Sequence, residues 1–218
     1  YPASKDKPRI DLILDGAERI DSVTVRAETV RESTVGTIKT YPMTLQKVEE
    51  DLAAYRTDLP TFTTQTLVRM SFNVQLVGGG SLSLPPVPEP RPFESFFVYD
   101  NEIPSQIPIL WFYPRISTKL TPSSTYAAGV VIKPVTLDHV LVYDGARIVD
   151  SRNGQKIRFL KHEEYLNNRT LNVIPEMPSG GTTSGAQAPQ VEHISFRIFR
   201  DFGVLAPIAY WFRIIERG

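Results

Sequence analysis

The chain contains no cysteine. Disulfides, cysteine-ligated zinc, thiol nucleophiles and iron–sulfur clusters are excluded together. The redox compartment stays open, because reducing and oxidising surroundings both tolerate a chain without thiols. There is no apolar run of the roughly 18 residues that a spanning helix requires. Net charge is also missing: 24 Lys and Arg balance 24 Asp and Glu. Neither a basic field for nucleic acid nor an acidic solvating tail is present. The first residue is Tyr1, not Met, and no signal peptide precedes the body, which suggests a chain trimmed or released from a longer product.

Catalytic signatures are equally scarce. No Gly-x-Ser-x-Gly elbow, Walker loop or Gly-x-Gly-x-x-Gly occurs. Gly78-Gly79-Gly80 follows a strand pattern but leads to proline, and a phosphate cradle needs a helix N-terminus there. The three histidines, His139, His162 and His193, are far apart. His162-Glu163-Glu164 lacks the second histidine at helical spacing that a zinc protease motif carries. Asp11, Asp15, Glu18 and Asp21 do not follow EF-hand spacing and read as solvated hairpin charges. Asp201-Phe202-Gly203 spells a kinase triplet without its companions and reads as a turn. Asn168-Arg169-Thr170 is a glycosylation sequon of low specificity. No catalytic residue, metal ligand or cofactor site emerges.

What is abundant is proline, 18 of 218 residues, concentrated between Pro85 and Pro134. Residues 85–92 hold five prolines in eight positions and read as an extended crossing that cannot join a sheet ladder. A domain linker and a docking peptide are the other readings. Residues 93–116 then mix proline with Phe93, Phe96, Phe97, Tyr99, Trp111, Phe112 and Tyr113, rings that demand burial.

Elsewhere the patterning is that of strands. Val68, Met70, Phe72, Val74 and Leu76 alternate with polar residues, predicting a strand with the apolar set facing the core and Arg69, Ser71 and Asn73 facing away. Ser22–Val30 alternates similarly. Asp15-Gly16, Asp144-Gly145 and Asn153-Gly154 predict tight hairpins, making residues 140–160 a meander of three strands. The segments from Leu12 and from Leu141 share six of eleven residues, Asp-Gly-Ala among them. Leu45, Val48, Leu52, Tyr55 and Leu59 are spaced by three and four, predicting an amphipathic helix over 44–59; a short second helix is expected at 161–168. Residues 179–190 read as an exposed loop, ordered only by a contact. Ile194, Phe196 and Ile198, and then Ile208 to Ile214, predict two closing strands.

The fold class is therefore mainly β: an antiparallel β-sandwich, with a jelly-roll variant, in one domain spanning 1–218. Two domains, 1–84 and 93–218, are the alternative. Three function classes follow. The first is a non-enzymatic structural subunit of a large assembly, a virion shell (capsid) or appendage, extracellular, periplasmic or in the virion. It would use other protein subunits as partners and Phe93, Phe96, Phe97, Trp111 and Phe112 as interface rings. The second is a secreted or periplasmic binding or adhesion module. The third is a glycosidase-like enzyme with carboxylates that no motif marks.

Overall fold

The computed structural model describes residues 1–31, 34–86, 93–114, 125–151, 154–173, 189–206, 208 and 210–216. In chain order the N-terminal half forms β1 (Arg9–Asp15), β2 (Ile20–Arg31), β3 (Thr34–Val35), β4 (Lys39–Pro42), β5 (Thr44–Glu49), β6 (Leu52–Asp58), β7 (Thr66–Leu76), β8 (Ser81–Leu84) and β9 (Glu94–Val98). The C-terminal half forms β10 (Ile109–Pro114), β11 (Thr125–Lys133), β12 (Leu141–Ser151), β13 (Gly154–Arg158), β14 (Thr170–Val173), α1 (Pro189–Asp201) and β15 (Arg213–Glu216). The mainly β, antiparallel expectation holds. The exception is β15, which lies parallel to β10.

Three sheets share the strands. One is β1-β6-β5; a second is β3-β2-β7-β8, with β4 also on β2 and β9 also on β7; the third is β14-β13-β12-β11-β10-β15. The alternation of β7 explains how the second sheet serves two neighbours. Val68, Met70, Phe72 and Val74 are buried with Val23, Val25 and Ala27 of β2 against Ala53 and Tyr55 of the first sheet. The opposite face carries Leu67 and Arg69, both fully buried, while Ser71 and Asn73 stay half-exposed. Arg69, expected to face away from the core, thus lies under a further layer. That layer is the third sheet. Val30, Leu67, Phe97 and Tyr99 pack there on Ile109, Trp111, Tyr113 and Val131. The outer face of the third sheet gathers Leu110, Val130, Ile132, Tyr143, Ala146, Ile148 and Ile157 with Phe159 and Tyr165.

The expected helix over 44–59 is a β-hairpin. Residues Leu45 and Val48, three apart, would point to opposite sides of a regular strand. A register irregularity between Leu45 and Lys47 shifts the phase, so Leu45 pairs with Tyr55 and Val48 with Ala53, while Glu50 turns the chain at φ 55°. An irregularity plus a turn imitates helical spacing. The second expected helix, 161–168, is a tight turn: Leu166 and Asn167 have φ of 50° and 59°, and Tyr165 and Asn168 bridge it.

The opposite error occurs at the C-terminus, where the strand expected around Ile194–Ile198 is α1. Pro189 stands at its first position, where a missing N–H costs nothing. Its end is a Schellman closure: Gly203, at φ 77°, donates to the Arg200 carbonyl at 2.8 Å, and Val204 donates to that of Phe199 at 2.8 Å. Asp201-Phe202-Gly203 is therefore a helix cap. The final strand is confined to Arg213–Glu216.

Neither expected Asp-Gly hairpin forms. Gly16 is left-handed and hands the chain from the first sheet to the second, so β1 pairs β6 and not β2. Gly145, at φ 148°, is an extra residue inside β12 opposite Ala128 and Gly129. The β12–β13 pairing, with Ser151 opposite Gly154, is present; Asn153 lies outside the described residues. So do 87–92 of the proline-rich crossing and 179–188 of the polar stretch, whose last two residues, Pro189 and Gln190, are not loop but open α1.

Candidate functional site

The rings proposed from sequence do not form one surface. Phe97 and Trp111 have no exposed surface, being buried between the second and third sheets of this same chain. Their centroids are 5.2 Å apart, and Tyr99 and Tyr113 complete the cluster. The indole Nε1 of Trp111 donates to Gln65 Oε1 at 3.2 Å, and the Tyr113 hydroxyl donates to the Gln65 carbonyl at 3.0 Å. Burial pushes the Tyr113 hydroxyl well above the usual tyrosine range. Phe93, Phe96 and Phe112 are half-buried at separate places, Phe96 edge-on to Phe62 and Phe112 beside the outer core of the third sheet.

His139 and His162 do not converge either. His139 and His162 are exposed on different loops and His193 belongs to α1. Among the described residues no group of three potential metal ligands comes together. Asp11 is held by Arg56 at 2.6 Å across β1 and β6. Glu18 and Asp51 share a hydrogen bond at the turn after β1. The backbone and Asp51 hold the Glu18 carboxyl below its ordinary range, while Glu18 raises that of Asp51. Retaining glycoside hydrolysis needs carboxyls about 5–5.5 Å apart, with room for a sugar between them. A hydrogen-bonded pair is closer than that.

Among the described residues a concave site assembles from segments that no motif links. Residues 1–6 lie along the loop after β9. Tyr99 N–H donates to the Pro2 carbonyl at 3.2 Å. The Ser4 amide donates to Asp100 Oδ1 at 2.6 Å and its hydroxyl to Asp100 Oδ2 at 2.5 Å. These bonds hold the Asp100 carboxyl below the usual carboxylate range. Asp6 accepts from the Ala3 amide at 2.8 Å. Together with Asn101 and Asp138 they surround a cavity of about 490 Å³, lined by Tyr1, Lys5, Asp6, Tyr99, Asp100 and Asp138. Tyr1 and Tyr99 stand 6.1 Å apart. Desolvation, then the Asp138 charge, raises the Tyr1 hydroxyl. The arrangement offers carboxylate acceptors, an amide that both donates and accepts, an ammonium, and a partly exposed ring. Sequence reasoning missed all of it: Ser4 and Asp100 are 96 positions apart, and no local pattern joins them.

No family model matches this chain. No curated protein matches it. Among solved structures, an uncharacterized Listeria monocytogenes protein in complex with glucose, magnesium and calcium aligns at 8% identity and a TM-score of 0.33, over 72% of this chain and 12% of that one. A cycloalternan-forming enzyme from the same organism, in complex with a pentasaccharide substrate, aligns at 11% identity and a TM-score of 0.35, over 72% of this chain and 15% of that one. Such distances establish no shared activity. The expectation of a non-enzymatic subunit of a virion shell or appendage is withdrawn: neither structure found is a shell subunit, and one is an enzyme. Among the described residues no helix is long and apolar enough to cross a membrane.

Proposed function

We propose that this chain is a β-sheet binding module whose cavity, between residues 1–6, the loop after β9 and Asp138, holds a small hydroxyl-rich ligand. The polar lining of that cavity carries the reading. Carboxylates accept hydrogen bonds from ligand hydroxyls, Asn101 satisfies either polarity, and the half-exposed Tyr1 ring offers an apolar face of the kind that packs on the C–H side of a sugar. Asp100 is ionised and fixed by Ser4, so its geometry is set before any ligand arrives. Saccharides are the ligand class to try first, glucose and short glucose oligomers being direct probes. Titration calorimetry should give saturable binding that is lost in Tyr1→Ala and in Asp138→Ala. Absence of saturable binding, or binding unchanged in both variants, overturns the proposal.

A further inference from the structure

The second and third sheets meet through two kinds of contact. The first is the ring cluster, which adheres strongly but without direction. The second is a buried charge. Row by row across the second sheet, Glu28, Arg69 and Ser95 are register partners, one step from the row Val30, Leu67 and Phe97. Both rows face the third sheet. There Asp144 ends the inward-facing series of β12, opposite Gly129 of β11. Arg69 Nε donates to Asp144 Oδ2 at 2.8 Å, and Ser95 Oγ donates to the same oxygen at 2.6 Å. Arg69 Nη1 lies 3.5 Å from Glu28 Oε1, and its guanidinium sits 5.9 Å from the Phe93 ring centroid. Arg69 and Asp144 have 0% and 1% of their side chains exposed.

The surroundings are shaped to this pair. A Cβ at Gly129 would meet Leu67 Cδ2 at 2.5 Å and stand 3.3 Å from Arg69 Nη2, so any larger residue there would displace the buried Leu67 side chain. Immediately after Asp144 the extra residue Gly145 reverses the alternation of β12, which sends Ala146 and Ile148 to the outer core. Asp144 is thus the last inward side chain before the strand turns its apolar set away. Its Oδ1 has no hydrogen-bond donor among the described residues. An incompletely satisfied buried carboxylate is a poor source of stability, because desolvation offsets the attraction.

We propose that the Arg69–Asp144 pair is a register device: the rings hold the two sheets together, and the pair selects the one docking position in which a buried cation meets a buried anion. A slip by one strand residue would leave the ring contacts replaceable but strand both charges in apolar surroundings. The test compares the full chain with Asp144→Ala and with the double variant R69M/D144L, which keeps apolar volume. Asp144→Ala should lower the thermal midpoint by on the order of 10 °C or fail to fold. R69M/D144L should unfold within a few degrees of the parent, yet show doubled or exchange-broadened amide signals along β9, β11 and β12. A single sharp set of signals at parental positions in the double variant would overturn the proposal, as would a parental midpoint for Asp144→Ala.

Discussion

Asp15-Gly16-Ala17 and Asp144-Gly145-Ala146 carry the same three residues and opposite fates. The first lies on the surface at the end of β1: Gly16 is left-handed at φ 77° and ψ 48°, a short 3-10 turn follows, and the chain changes sheet. The second lies inside β12, where Asp144 and Ala146 pair with Gly129 and Ala128 of β11; Gly145 is absorbed as a bulge, and Asp144 is 1% exposed under Arg69. Asp-Gly licenses positive φ. It does not choose between a turn and a bulge. The choice is made by what lies opposite: β1 ends its pairing with β6 at Asp15, whereas β12 stays paired with β11 on both sides of Gly145 and takes up β13 from Arg147 onward. Local sequence supplies the permission, and strand pairing supplies the outcome.

The largest way to break this comparison is to remove the carboxylates. Asp144→Ala should cost about 3–5 kcal/mol, because it takes from a buried arginine its closest and most buried anion and leaves only Glu28 at 3.5 Å; Asp15→Ala should fall within about 0.5 kcal/mol, as exposed substitutions do. Chemical denaturation of the two variants checks it, and equal losses would erase the contrast. Trp111→Ala, which empties the ring cluster beside the pair, should cost about 3–5 kcal/mol as well. A smaller effect comes from the glycines. Gly145→Val should cost about 1–3 kcal/mol, since φ 148° is nearly reserved for glycine. Gly16→Ala should cost about 1–2 kcal/mol for the left-handed region alone, because its added Cβ meets only Arg19 Cδ at 3.7 Å.

Titration gives the smallest effects. Ser4 holds Asp100 below its ordinary range, so the docking of residues 1–6 is fully supported above the unfolded carboxyl value. It is lost as pH falls through the folded one; amide protection of Ser4 followed toward low pH checks this, and Ser4→Ala should shift the loss upward. At the other extreme, burial pushes the Tyr143 hydroxyl up to about 12. Its neutral form is favoured in the folded chain, so that stability is present below the ordinary tyrosine value near 10 and is lost as pH rises toward 12. Tyrosinate absorbance should therefore report Tyr143 ionising later than an exposed tyrosine.

Where two faces of a strand differ in polarity, the sequence was legible. The alternation of Val68 to Leu76 named both the strand and its core face, and Val23, Val25 and Ala27 did the same for β2. Legibility failed where a phase change intervened. The irregularity at Leu45 and Lys47 imitated a helix, and the alternation of Ile194, Phe196 and Ile198 concealed one, because residues 194 and 198 also share a helical face. Arg69 was expected to face away from the core because single-sequence patterning assigns charge to solvent or a neighbour; partners distant in sequence, Asp144 and Glu28, make its burial tolerable. The candidate cavity was illegible for a related reason. Its walls come from residues 1–6, 99–101 and 138, and no local spacing encodes their meeting.

The contrast between the two Asp-Gly-Ala segments rests on Asp144 being held by Arg69. A double-mutant cycle on those two residues, using Arg69→Met, Asp144→Leu and the pair together, measures that hold directly. We predict that each single change destabilises strongly while the double variant recovers most of the loss, a coupling at or above about 2 kcal/mol. Single effects that add to within about 0.5 kcal/mol would show two independent side chains and contradict the account.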